Sequence, residues 1–150
     1  PFKERISIHK QDFREINSYS NKYDLIVSNP PFYSERTLSG DIARDTARHN
    51  CFLSFDTLVG NAAKLLTDNG LFSVVIPYGE ARGFISTCAS HKLYLKRRMD
   101  VRPSEKKTFR RTLLEFGRTA CATITTTLIL NALDGSRTDE YTQLTKDFYL

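Results

Sequence analysis

The 150-residue sequence predicts an α/β fold, a mostly parallel sheet with covering helices. Two apolar, β-branched runs, Leu25-Ile26-Val27 and Leu71-Phe72-Ser73-Val74-Val75-Ile76, stop abruptly at prolines. Stretches whose apolar residues recur at helical spacing follow each of them. The length suits one domain.

Taken in order, Arg5-Ile6-Ser7-Ile8-His9 alternates and predicts a short strand leading to a polar turn at Gln11-Asp12-Phe13. Residues 23–28 predict a second strand. Three successive apolar residues fit a strand covered on both faces, and Pro30 and Pro31 end it because neither can donate to a sheet ladder. Residues 33–48 are polar and charged and read as a loop or lid. Phe52, Phe55, Leu58, Val59, Ala62, Ala63 and Leu66 then share one helical face, which predicts an amphipathic helix over 50–67 stopped by Asp68-Asn69-Gly70. The run 71–76 is a buried strand ended by Pro77. Ala81, Phe84, Ile85 and Cys88 mark a helix over about 80–91. Strands are expected over 93–101, 112–116 and 123–130, with Gly117 to Ala120 as a hairpin connection between the last two. A short helix over about 138–147 closes the chain.

The segment Tyr23-Asp24-Leu25-Ile26-Val27-Ser28-Asn29-Pro30-Pro31-Phe32-Tyr33 is where chemistry is expected. It leaves Asn29, backbone carbonyls and Phe32 at the carboxyl end of a strand, where open α/β sheets bind ligands. Hydrogen-bond acceptors beside a flat aromatic ring suit a planar group carrying an NH2.

Composition narrows the class. No apolar run approaches the roughly 18–20 residues of a membrane span. Cys51, Cys88 and Cys121 are scattered and odd in number, so neither a metal site nor a disulfide framework is expected; they read as small buried hydrophobes in a reducing cytoplasm. The net charge of +5 is uneven: Lys92 to Arg118 holds ten cationic residues against Asp100, Glu105 and Glu115, a local +7. Such a field attracts a phosphate backbone.

An aspartate, three apolar residues, a small residue and Asn-Pro-Pro-aromatic together resemble motif IV of the S-adenosylmethionine-dependent amino-methyltransferases. These enzymes act on the exocyclic amine of adenine or guanine, or on a glutamine amide. Three further segments are similar to the branch that methylates N6 of adenine 37 in tRNA1(Val). They are Arg44-Asp45-Thr46-Ala47-Arg48-His49, Arg110-Arg111-Thr112-Leu113-Leu114-Glu115-Phe116, and Tyr141-Thr142-Gln143-Leu144-Thr145 with Asp147-Phe148-Tyr149-Leu150.

The resemblance implies the C-terminal part of a Rossmann-like class I methyltransferase sheet, with antiparallel C-terminal strands. No clustered Gly-x-Gly occurs in the chain. The expectation is therefore an incomplete domain lacking the N-terminal cofactor-binding strands, inactive by itself, whose motif strand has lost a neighbour and is prone to self-association through its edge. The resemblance assigns catalysis to Asn29, Pro30 and Phe32. It assigns S-adenosylmethionine binding to Asp12, Phe13 and Asn29. For tRNA it implies Pro31, Tyr33, Arg44, Arg48 and His49, joined by Lys106, Lys107, Arg110 and Arg111 of the basic run. No metal is expected. The alternatives are methylation of guanine N2 in rRNA or of a release-factor glutamine, and an inactive RNA-binding or oligomerising fragment.

Overall fold

The computed structural model describes residues 3–16, 20, 22–31 and 53–148. Five strands form one sheet: β1 (Tyr23–Ser28), β2 (Leu66–Pro77), β3 (Tyr94–Arg102), β4 (Arg111–Gly117) and β5 (Ile124–Ile129), in the order β1-β2-β4-β3-β5. β1 pairs parallel with β2, and β3 with β5; β4 runs antiparallel to both β2 and β3. Four strands thus point one way and β4 alone runs back. The expected mostly parallel sheet with an antiparallel element near the C-terminus is present.

Helices α1 (Phe55–Leu65) and α2 (Ala81–Ser90) follow β1 and β2, and α3 (Asp139–Thr145) follows β5. Ser54 caps α1: its Oγ accepts the Thr57 N–H at 3.1 Å. The core lies on one sheet face. Phe72, Val74 and Ile76 of β2 and Leu114 and Phe116 of β4 meet Leu58, Val59 and Ala62 of α1 and Ala81, Phe84 and Cys88 of α2. Phe84 is its hub, 4.8 Å from Phe55 edge-on and 6.2 and 5.9 Å from Phe72 and Phe116 between ring centroids. Helix α2 ends without glycine: Lys92 takes the left-handed conformation (φ 59°), and the Leu93 and Lys92 amides bond back to Cys88 and Ala89.

Several expectations are corrected. Residues 5–9 form no strand; Lys3–Arg5 is a 3-10 turn, and Ile6 and Ile8 are exposed. Alternation makes a strand only where a neighbouring strand takes its hydrogen bonds, and none of the described strands pairs with this segment. The helix begins at Phe55; residues 50–52 lie outside the described residues. Asp68-Asn69-Gly70 belongs to the start of β2, not to a turn before it. Tyr23 pairs with Leu66 while Leu25 pairs with Leu71, so the three residues bulge out of the ladder. Gly70 is required there, because a Cβ would lie 2.9 Å from the Tyr23 carbonyl oxygen. Gly117 to Ala120 is not a hairpin turn: β4 and β5 are separated by β3, and the chain crosses from one to the other. β1 is not covered on both faces. Leu25 is 56% and Val27 69% exposed, while the strand's place at the sheet edge is as expected. Cys88 is buried as expected, which pushes its thiol pKa up, but Cys121 is exposed; Cys51 lies outside the described residues.

Candidate functional site

The topology gathers the chemistry at one end of the sheet. β1, β2, β3 and β5 all finish there, and β4 begins there. Asn29-Pro30 therefore leaves β1 beside the end of β2 at Pro77, and the turn from β3 to β4, carrying Lys106, Lys107 and Arg110, opens at the same edge. Ser28 pairs with Val74, and Pro77 with Arg111. The Tyr78 amide donates to the Arg110 carbonyl at 3.2 Å, and the Arg110 amide to the Val101 carbonyl at 2.9 Å, pinning this turn to the strand ends. Asn29 is exposed, Pro30 buried and Pro31 exposed. The corner thus leaves Asn29 open to solvent, with the residue that follows it buried.

Asp12 and Phe13 stand apart from Asn29 in sequence and are held on α1. Asp12 caps the 3-10 turn Phe13–Glu15 through the Arg14 amide (2.9 Å). Its carboxylate also takes Arg14 Nε and Nη2 at 3.0 and 2.6 Å. These side-chain bonds first, then the amide bond, hold its pKa at about 2. The Phe13 carbonyl accepts Asn61 Nδ2 at 2.7 Å, tying the segment to the buried face of α1. Phe13 also lines a groove of about 440 Å³ along the free edge of β1, with His9, Tyr23, Leu25, Ile26 and Leu65 among its walls. Asn29 is not part of that groove. Phe32, Tyr33, Arg44, Arg48 and His49 lie outside the described residues.

The basic run is sorted by the fold into two sets. Arg97 is paired with Glu115 at 2.7 and 2.8 Å, and Arg98 with Asp100 at 2.9 Å. Arg118 donates to the carbonyls of Ala63, Leu66 and Thr67 at the end of α1, where a cation suits both the unpaired carbonyls and the helix dipole. Arg97 is itself 65% exposed, but Lys106, Lys107, Arg110 and Arg111 are exposed at the Asn29 end of the sheet. No group of three or more His, Cys, Asp or Glu among the described residues has the geometry to hold a metal. No described helix is long and apolar enough to cross a membrane.

Sequence reasoning passed over an aromatic pair at this end, Tyr78 on Phe109, with ring centroids 5.1 Å apart. Tyr78 opens a short 3-10 helix and Phe109 sits in the irregular segment before β4, where apolar periodicity is silent. It also left His91 without a partner; His91 Nε2 lies 2.8 Å from Asp56 Oδ1 and joins the ends of α1 and α2.

Solved structures share this architecture. A predicted O-methyltransferase of Agrobacterium tumefaciens superposes with a TM-score of 0.60 at 16% identity, covering 83% of this chain and 51% of that one. A putative DNA modification methylase of Thermus thermophilus superposes with a TM-score of 0.51 at 15% identity, covering 74% and 53%. The fold is that of the class I methyltransferases. Sequence relatives agree with this fold. A tRNA1(Val) (adenine(37)-N6)-methyltransferase of Yersinia pseudotuberculosis is 38% identical over the whole of this chain and 60% of its own length. The same-named protein of Yersinia pestis is 37% identical, over 61% of its length. The chain spans about 60% of the length of the curated relatives it matches. No protein-family profile matches it.

Within this methyltransferase fold, β1 carries the Asn-Pro-Pro corner at its carboxyl end, and β4 is the strand that runs back between β2 and β3.

Proposed function

We propose that the protein of which this chain is part methylates the exocyclic N6 of an adenine in tRNA, using S-adenosylmethionine. One observation carries the reading: an exposed Asn29 and a buried Pro30 close a parallel strand at the sheet end that also carries four exposed cations, in a chain 38% identical throughout to a tRNA adenine-N6 methyltransferase.

The residues present fit that cofactor. The Asp12 side chain is 34% exposed, but Arg14 bonds both of its oxygens in four contacts, so Asp12 accepts the cofactor's adenine amine by giving up one of them, while Phe13 offers backbone and ring. When bound, S-adenosylmethionine supplies an electrophilic methyl group. The chain's own residues do the rest. The Asn29 side-chain oxygen and the Pro30 carbonyl each accept one N6–H bond. Adenine N6 is a weak nucleophile because its lone pair is delocalised into the ring. Two fixed acceptors favour the amine as it turns tetrahedral and gains positive charge. They also orient its lone pair. Phe32 stacks on the extruded base, Pro31 and Tyr33 border it, and Arg44, Arg48 and His49 with the exposed cations hold the RNA. The setting of such an enzyme is the cytoplasm.

The test is Asn29→Ala in the full-length protein, assayed by methyl transfer to tRNA with identification of the product nucleoside. Loss of one preorganised acceptor lowers the rate about 10²–10³-fold with the fold intact. Retention of most of the turnover removes Asn29 from the mechanism. N2-methylguanosine instead of N6-methyladenosine as the product, or no transfer to tRNA by a protein that methylates a release-factor glutamine, refutes the substrate.

A further inference from the structure

Beside the Asn-Pro-Pro corner, four side chains from three separate segments stack into a ladder. Tyr78, just after β2, lies on Phe109, just before β4, with centroids 5.1 Å apart and planes 27° from parallel. The Arg98 guanidinium is 5.5 Å from the Tyr78 centroid, and that of Arg102 is 5.6 Å from the Phe109 centroid. Arg98 is held in place by Asp100, whose Oδ1 and Oδ2 accept its Nε at 2.9 and 3.0 Å. Asp100 is only 8% exposed and is itself fixed by the Thr112 hydroxyl at 2.7 Å. Arg102 is not neutralised in the same way. Its Nη1 bonds the Glu105 carbonyl at 3.0 Å, and its buried Nε has no hydrogen-bond partner among the described residues. The ladder therefore keeps an unmatched positive charge at a place where burying one is costly.

Simple packing does not account for this arrangement. Tyr78 is 38% exposed, so the ladder is not sealed into the core. The rings rise at the sheet end where Lys106, Lys107 and Arg110 are exposed. Aromatic faces flanked by guanidinium planes and free cations suit a ligand that is flat and negatively charged, which describes an unpaired nucleotide. An acidic peptide would match the charge but leave the ring face unused. Position argues in the same direction. Ser28 pairs with Val74, so Pro77 stands three residues further along β2, about 10 Å by strand rise. The ladder is therefore a short step beyond Asn29, the distance of a neighbouring nucleotide and not of the base held at Asn29 itself.

We propose that Tyr78, backed by Phe109 and flanked by Arg98 and Arg102, stacks on an unpaired nucleotide adjacent to the target base. Asp100 is a positioning residue that acts through Arg98. This rests on the nucleic-acid reading above. Stacking on such a ledge holds the strand on one side of the corner while the target base is drawn into it.

The experiment measures binding of the full-length protein to two probes, a single-stranded oligouridylate of about ten nucleotides and an abasic ribose-phosphate strand of equal length. Tyr78→Leu weakens oligouridylate binding roughly tenfold or more and leaves abasic binding and the salt dependence unchanged, because only a base can stack. Tyr78→Phe restores binding, which separates the flat ring from the hydroxyl and from any effect on folding. Asp100→Asn moves oligouridylate binding in the same direction by a smaller factor, and adds little on top of Tyr78→Leu. A protein that shows this pattern but transfers no methyl group supports the ledge and refutes the enzymatic reading. Equal losses for both probes, no loss in a folded Tyr78→Leu protein, or a wild type that prefers an acidic peptide to either strand overturns the ledge.

Discussion

Replacing Lys106, Lys107, Arg110 and Arg111 by glutamine tests whether the basic run holds RNA, and the structure sets the size of the effect. Ten cations lie between Lys92 and Arg118, but they are not equivalent. Arg97 and Arg98 are matched by carboxylates and Arg118 bonds the carbonyls ending α1, so these three already have partners within the chain. Lys106, Lys107, Arg110 and Arg111 are exposed and share the sheet end with Asn29. If each meets one phosphate, the log–log slope of affinity against salt flattens by about 3 on removing all four, at roughly 0.7–0.9 per contact. Across a fourfold salt range that is about a hundredfold in affinity, largest at low salt. The assay is a tRNA titration of the full-length protein and the quadruple variant at several salt concentrations. Arg97→Gln serves as the control and leaves the slope unchanged. Identical slopes for wild type and quadruple variant would show that this turn is a solvated face and that the RNA is held elsewhere.

Other consequences are equally direct. Phe84→Ala removes the ring that Phe55, Phe72 and Phe116 all meet, and lowers stability by about 3–5 kcal/mol, read from denaturant unfolding; a loss below about 1 kcal/mol would mean the core does not centre on it. Asp12 titrates with a midpoint near 2, not 3.8. Because its folded pKa is lowered, its stabilising contribution is present above about 3.8 and is lost as pH falls towards 2; carboxyl-carbon NMR reads the midpoint, and Arg14→Gln returns it towards 3.8. Residues 1–150 produced alone self-associate through β1, whose Leu25 and Val27 are exposed at the sheet edge, and Val27→Lys reduces the association. Sedimentation showing a monomer at every concentration would rule out that edge as an interface.

Much of the fold was legible from local signals. The prolines at 30 and 77 end β1 and β2 because a missing N–H cannot be repaired by any tertiary context. The apolar face of α1 and the β-branched runs of β2, β4 and β5 were likewise readable, since period and composition are properties of a single segment. The misplaced elements are those whose fate depends on a neighbour. Ile6 and Ile8 alternate like a strand but pair with none of the described strands, and Leu25 and Val27 read as buried but are exposed. Asp68-Asn69-Gly70 reads as a turn after a helix but bulges from a strand, because β1 pairs on both sides of it.

For the site, the Asn29-Pro30-Pro31 corner and the local excess of positive charge followed from sequence alone, because both are contiguous. Only the tertiary structure decided which cations are free. Pairing across β3 and β4 consumes Arg97, and the end of α1 consumes Arg118, and neither partner is near in sequence. Only the tertiary structure set Tyr78 on Phe109, since strand order brings the ends of β2 and β3 and the start of β4 to one edge. Local sequence encodes where a strand stops; which side chains then face one another is decided by hydrogen-bonded register between strands that the chain visits far apart.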